Sequence, residues 1–302
     1  GNENKGEAFW ERFDIMYKAI KEKHPEIIVV TTSGAADAGK EFNDNYAQID
    51  EKYPDTYVDE HYYKGDDWFF KNRDRYNADK VRGGQGLTYD RERPTRVFVG
   101  EFANNRTNNA YASTLAEAAY YTSLEQNSDM VVMAAYAPLF CKKGFNKWNS
   151  NLIWFDNRGL WRTTNYYYMK LFSKAGNMTF HTSDVMNGET VDEHINISPT
   201  INTTTGEIYL KLVNSEAVAK ELEVALDNRN TYKVAIEYMT TDDTSIKNQG
   251  HQNYYSSYPG IVNFNYNEAI VPQTIGFGPV KKNFSVDIPQ NSVCVIKLIP
   301  VK

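Results

Sequence analysis

Residues 96–135, RVFVGEFANNRTNNAYASTLAEAAYYTSLEQNSDMVVMAA, read as a strand, a helix and a second strand. Arg96–Phe102 is rich in β-branched and aromatic residues, Ser113–Glu125 in Ala, Leu and Glu, and Met130–Ala135 is short and apolar. That alternation describes a parallel βαβ unit. It continues upstream. Glu7–Lys23 puts Phe9, Phe13, Met16, Tyr17 and Ile20 on one helical face, and His24-Pro25 stops the helix. Ile27-Ile28-Val29-Val30-Thr31 reads as a buried strand, Phe42–Glu51 as a short helix and Thr56–Tyr63 as a strand with a polar end. Trp68–Tyr76 and Asn165–Ser173 read as helices. From about Asn177 the texture changes. Glu207–Val213, Glu221–Leu226, Tyr232–Met239, Ile261–Phe264, Asn283–Ile288 and Ser292–Leu298 alternate between turns of Asn, Asp, Gly and Thr, the pattern of an antiparallel sandwich. The expected domain boundary is therefore 1–176 and 177–302.

The 302 residues are 41% hydrophobic and 24% charged, enough apolar material for a core. A net charge of -6 argues against a nucleic-acid binder, which needs a basic stripe. Met130–Phe140, the most apolar stretch, is interrupted by Pro138 and is far short of the ~20 residues of a membrane span. Cys141 and Cys294 stand far apart and read as buried free thiols, with no zinc or disulfide spacing around them. Aromatic residues reach 14%, with 22 Tyr and 5 Trp, which suits either a sugar-handling surface or an aromatic core.

Polar groups collect where the strands of the first part finish. Glu3 precedes the first helix, His61 and Tyr63 end one strand, and Glu101 ends another. In a (β/α) barrel the carboxyl ends of the strands surround one pocket, so two such glutamates suggest the acid/base and nucleophile of a retaining glycosidase, ~5–5.5 Å apart. The competing readings are ordinary ones. Glu3 would complement a helix dipole, Glu101 would pair with Arg106, and His61 would be a hydrogen-bonded structural histidine. Asp59-Glu60-His61 is a poor metal set, because neighbours on a strand face opposite ways; Glu60 should face away from the pocket. Gly83-Gly84-Gln85-Gly86 lacks the Lys-Ser/Thr of a phosphate loop.

Five motifs then occur in order: Gly1-Asn2-Glu3-Asn4, Asp59-Glu60-His61-Tyr62-Tyr63, Val99-Gly100-Glu101-Phe102-Ala103, Ala135-Tyr136-Ala137-Pro138-Leu139-Phe140 and Trp148-Asn149-Ser150-Asn151-Leu152-Ile153. In this arrangement the chain resembles the C-terminal part of family 51 α-L-arabinofuranosidases, members of a large clan of retaining barrel glycosidases. Ile270-Val271-Pro272 and Ser292–Leu298 resemble that family's C-terminal sandwich. The resemblance implies an α/β plus all-β protein, the second half of a (β/α)8 barrel followed by a jelly-roll-like sandwich. It implies that Glu3 is the acid/base, Glu101 the nucleophile, and Asn2 a ligand of the sugar hydroxyl beside the anomeric carbon. His61 would support the acid/base side and Tyr63 would hydrogen-bond the nucleophile. Asn151 would stand near the sugar ring or only cap a turn, and Trp148 and Trp154 would stack on sugar or pack in a core or loop.

The partner implied is an arabinose-containing oligo- or polysaccharide, with no cofactor, no metal, no nucleic acid and no membrane insertion. A periplasmic or extracellular location follows from polymer-degrading habit. The chain opens without an initiator Met and reads as a piece whose open barrel is covered by the missing half or by self-association. Lys5 replaces the Trp or other uncharged residue of many relatives. Two alternatives stay open: another retaining barrel glycosidase, such as a glucanase or xylanase, and a non-catalytic carbohydrate-binding or assembly fragment.

Overall fold

The structure, a computed structural model, describes residues 6–78, 80–82, 87–148, 150–174, 176–179, 194–226, 230–248 and 268–301. The chain divides into two compact units. Gly1–Tyr63, Asp74–Ala103 and Asn127–Ala137 make the first; Lys64–Arg73, Asn104–Gln126 and Pro138–Lys302 make the second.

The first unit is built on strands β1 (Val30–Thr32), β2 (Tyr57–Lys64), β3 (Arg96–Asn104) and β4 (Val131–Tyr136), hydrogen-bonded in that order. β1 is parallel to β2, and β3 to β4. Helices α1 (Glu7–Lys23) and α2 (Lys40–Lys52) are tied by rings: Trp10 stacks on Tyr53 at 5.8 Å, and Phe13 meets Tyr53 edge-on at 5.0 Å. Such pairs add ~0.5–1.5 kcal/mol beyond the area they bury. Among the described residues the sheet is open, with β1 and β4 as its edges, and no closed barrel forms.

Two expectations need correction here. The run Ile27–Thr31 is not a buried strand: only Val30–Thr32 pairs, and Ile27, Ile28 and Val30 are exposed. Met16 and Ile20 of α1 are exposed as well, lining a groove with Phe13, Val29 and Val30. The apolar pattern was real, but no described element covers that edge. The helix expected at Trp68–Tyr76 is α3 (Asp66–Lys71), which stops at Asn72.

In the second unit, α3, α4 (Tyr111–Gln126) and α5 (Thr164–Phe172) accompany two sheets of the sandwich and a small third sheet. The third sheet joins β5 (Phe140–Lys142), β6 (Ile153–Phe155) and β7 (Leu160–Arg162) and buries Cys141, Trp154 and Trp161 together. The large sheet follows the order β8-β9-β10-β15-β12-β13, from Met178–Thr179, Ile195–Ile201, Ile208–Asn214, Ser292–Pro300, Tyr232–Thr240 and Gln273–Val280. The smaller pairs β11 (Lys220–Ala225) with β14 (Asn283–Ile288). Every residue of β10 is buried, because both faces of its sheet are covered. Ile208, Leu210 and Leu212 meet Val224, Val286 and Ile288, while Tyr209 and Val213 meet Leu115, Tyr168 and Leu171. Lys211 also lies on this strand; burial lowers its pKa, and the Glu125 carboxylate of α4 pairs with it. The sandwich strand expected at Ile261–Phe264 lies outside the described residues. Cys141 and Cys294 are buried free thiols, which burial pushes up to about 11 and about 12.

Glu117 of α4 is fully buried; its Oε1 accepts the Asn104 N–H at 2.6 Å and its Oε2 accepts Asn165 Nδ2 at 2.7 Å. Burial, only partly opposed by these donors, pushes its pKa up to about 8. The folded state therefore holds a proton that the unfolded chain has released above about 4.5. This stabilisation is complete below that pH and is lost as the pH rises toward about 8. Glu117→Gln should flatten the decline by up to about 1.4 kcal/mol per pH unit. Urea unfolding of both proteins from pH 5 to 8.5 measures it, and equal slopes refute it.

Candidate active site

Alternation along β2 sorts its side chains onto two faces. On one face Val58, Glu60 and Tyr62 are fully buried. Glu60 accepts hydrogen bonds from Tyr46, from Tyr76 at 2.7 Å and from Tyr89 at 3.1 Å, and Arg75 stands 3.7 Å away. This is a structural carboxylate, held by phenols and a guanidinium. The opposite face carries Asp59, His61 and Tyr63.

Glu101 comes to that second face by an irregularity in β3. Val99 pairs with Ala134 of β4, but the next partners are Phe102 and Tyr136, so three residues of β3 advance against two of β4. The extra residue is a β-bulge, which lets one side chain leave strict alternation. Gly100 and Glu101 are both half-exposed in consequence, between buried Val99 and buried Phe102. The strand does not end at Glu101, as the sequence suggested, but runs on to Asn104.

Around Glu101 the geometry is close. Tyr63 Oη donates to Oε2 at 2.7 Å, and His61 Nδ1 lies 3.4 Å from the same oxygen. His61 Nε2 bonds Asp59 Oδ2 at 2.8 Å. Burial and the Glu101 carboxylate push the Tyr63 phenol well above its ordinary range, so it remains a donor throughout the neutral range. Asp59, which the sequence reading considered only as a poor metal ligand, is the member it missed; its position two residues before His61 was the available signal. Gly100 is the other. A Cβ built there would overlap Asp59 Oδ1 and stand 2.9 Å from Asp59 Cγ.

The remaining candidates are placed differently. Asn2 and Glu3 lie outside the described residues. Asn151 and Trp148 belong to the second unit, where buried Asn151 donates Nδ2 to the Trp148 carbonyl at 2.5 Å. Trp148 is 51% exposed, whereas Trp154 is 1% exposed and is a core residue. Among the described residues no three His, Cys, Asp or Glu side chains are grouped to hold a metal ion, and no helix is long and apolar enough to cross a membrane.

Residues 88–292 match the model of the α-L-arabinofuranosidase C-terminal domain, and residues 1–82 that of the α-L-arabinofuranosidase 1 domain. The chain is 40% identical over 173 residues to an extracellular exo-α-L-arabinofuranosidase of Streptomyces chartreusis, covering 57% of this chain and 19% of that one. It is 25% identical over 228 residues to α-L-arabinofuranosidase 1 of Arabidopsis thaliana, covering 74% and 30%. It thus spans about a fifth to a third of these relatives' length. An arabinose-bound family 51 α-L-arabinofuranosidase structure superposes with a TM-score of 0.72 at 22% identity, over 97% of this chain and 42% of the other. The Thermotoga maritima α-L-arabinofuranosidase in complex with arabinose gives 0.62 at 16% identity, over 94% and 60%.

Gly100→Ala tests the packing at the bulge. In an unhindered strand alanine would gain ~0.5–1 kcal/mol over glycine. Here a loss of ~1–3 kcal/mol is expected in urea unfolding, as for other overpacked sites. The loss should shrink in Gly100→Ala/Asp59→Ala, which removes the opposing carboxylate. A stabilised single variant, or equal losses in the two backgrounds, would contradict the packing.

Proposed function

This chain belongs to the α-L-arabinofuranosidase C-terminal domain family, and from that membership we propose that it carries the nucleophile side of a retaining α-L-arabinofuranosidase. The substrate class is terminal arabinofuranosyl groups on arabinan, arabinoxylan or their oligosaccharides. One observation carries the reading: Glu101 is held on the same sheet face as Asp59, His61 and Tyr63, with Oε2 engaged by a phenol at 2.7 Å. A carboxylate fixed in this way is suited to in-line attack.

Ionised Glu101 attacks the anomeric carbon while Glu3, protonated, gives its proton to the leaving oxygen. The arabinofuranosyl ester on Glu101 is then hydrolysed by a water that Glu3 deprotonates. Asn2, Asn151 and Trp148 bind the sugar in this reading, Asn2 at the hydroxyl beside the reacting carbon. The four-stranded sheet is proposed as the second half of a (β/α)8 barrel within residues 1–176, with residues 177–302 as the C-terminal sandwich. Exposed Ile28 and Val30 at one edge and Val132 and Met133 at the other support this, since a sheet with open apolar edges calls for further strands. The name of the Streptomyces relative supports an extracellular setting.

The test uses an aryl α-L-arabinofuranoside and the longest polypeptide that the gene encodes. Glu101→Gly should lose turnover on the order of 10³-fold or more, because the variant lacks the attacking carboxylate. Added azide should restore it by forming the glycosyl azide of inverted configuration. Hydrolysis that survives Glu101→Gly, or wild-type turnover of glucosides or xylosides in place of arabinofuranosides, would overturn the proposal.

A further inference from the structure

His61 is 4% exposed, and its two nitrogens meet different oxygens. Nε2 lies 2.8 Å from Asp59 Oδ2; Nδ1, which has no hydrogen-bond partner, lies 3.4 Å from Glu101 Oε2. Asp59 is two residues earlier on the same strand, so the pleat alone brings the carboxylate beside the ring. Asp59 Oδ1 is also buried without a hydrogen-bond partner, against the space left empty by Gly100. A carboxylate oxygen kept buried without a partner is costly, and so is a glycine in mid-strand. Both features serve to keep Asp59 against the His61 ring.

We propose that Asp59 is a positioning residue: it holds the Nε2–H of His61, so that the Nδ1 edge of the ring always addresses Oε2 of Glu101. This rests on the reading of Glu101 as the nucleophile. An imidazole left free could turn over and exchange its two nitrogens. With Nε2–H anchored on a carboxylate, it is the Nδ1 edge that faces Oε2, beside the Tyr63 hydroxyl. Oε2 is then the held oxygen, and Oε1 is the one presented for attack. Among the described residues, the titratable groups around the ring are Asp59 and Tyr63 on its own strand and Glu101 on β3; β1 has none.

Asp59→Asn preserves shape and removes the charge, and Asp59→Ala serves if the amide rotates to a new partner. The first readout is the ring spectrum of His61 in ¹⁵N-histidine-labelled protein, assigned by its loss in His61→Ala. In the wild type the neutral ring should carry its proton on Nε2 alone. In the Asp59 variants the neutral ring should become a mixture of tautomers. The second readout is kinetic: kcat on the aryl arabinofuranoside should fall about 10–100-fold, the usual cost of losing a partner that orients a histidine, with KM little changed. A ring spectrum identical to wild type overturns the proposal whatever the substrate proves to be. An altered spectrum with unchanged kcat overturns the positioning role. Wild type that turns over no arabinofuranoside overturns the functional reading and the positioning role with it, even where the spectrum confirms the Asp59–His61 bond.

Discussion

One extra residue in β3 decides what Glu101 can do. In a regular strand, residues 98, 100 and 102 share one face and 99, 101 and 103 the other. Glu101 would then join Val99 among the buried side chains, and its carboxylate would need the kind of cage that Glu60 has. The bulge between Val99 and Phe102 turns it onto the face of Asp59, His61 and Tyr63. The pairing lost at a bulge is the cost of that reorientation, and the ladder resumes at Phe102 with Tyr136. Gly100 belongs to the same device. It is the bulge residue with no side chain, and the space above it holds Asp59.

The two strands thus treat two glutamates in opposite ways. Glu60 is enclosed, and its oxygens are taken up by Tyr46, Tyr76 and Tyr89 with Arg75 nearby. A carboxylate so completely satisfied holds structure together and has no free lone pair aimed at anything else. Glu101 keeps part of its surface open and has its donors on one oxygen. Burial alone would have pointed to Glu60 as the special group; among the described residues, the oxygen left unengaged is on Glu101.

Most of the fold was legible because it follows periodicity. The helices α1, α2, α4 and α5, the strands β2 to β4 and most sandwich strands fall within a few residues of where apolar spacing and Pro, Asn or Gly punctuation put them. The misses have local causes. β9, Ile195–Ile201, contains Pro199 and alternates poorly, and β13, Gln273–Val280, carries two glycines and a proline, so neither reads as a strand. The segment at Ile27–Thr31 misleads in the other direction. Its β-branched run is apolar, but only its last residues pair. At the site, the residues at 61, 63 and 101 stood out because polar groups follow apolar strand segments. Alternation also assigns Glu60 to the far face. The bulge could not be read, since Val99-Gly100-Glu101-Phe102 is compatible with a regular strand and only the partner strand shows the extra residue.

Among the described residues, what holds Glu101 is contained in two neighbouring strands. Tyr63, His61 and Asp59 come from β2, Gly100 and Glu101 from β3, and the spacing within each strand supplies the alignment. No long loop has to be ordered for these groups to meet, so little conformational entropy opposes the arrangement beyond what the sheet has already lost. Glu3 precedes α1 in the sequence. On the proposed reading, the nucleophile side of the site is therefore preorganised by a sheet alone. On that reading, substitutions in β2 and β3 should for this reason act on formation of the glycosyl ester through Glu101.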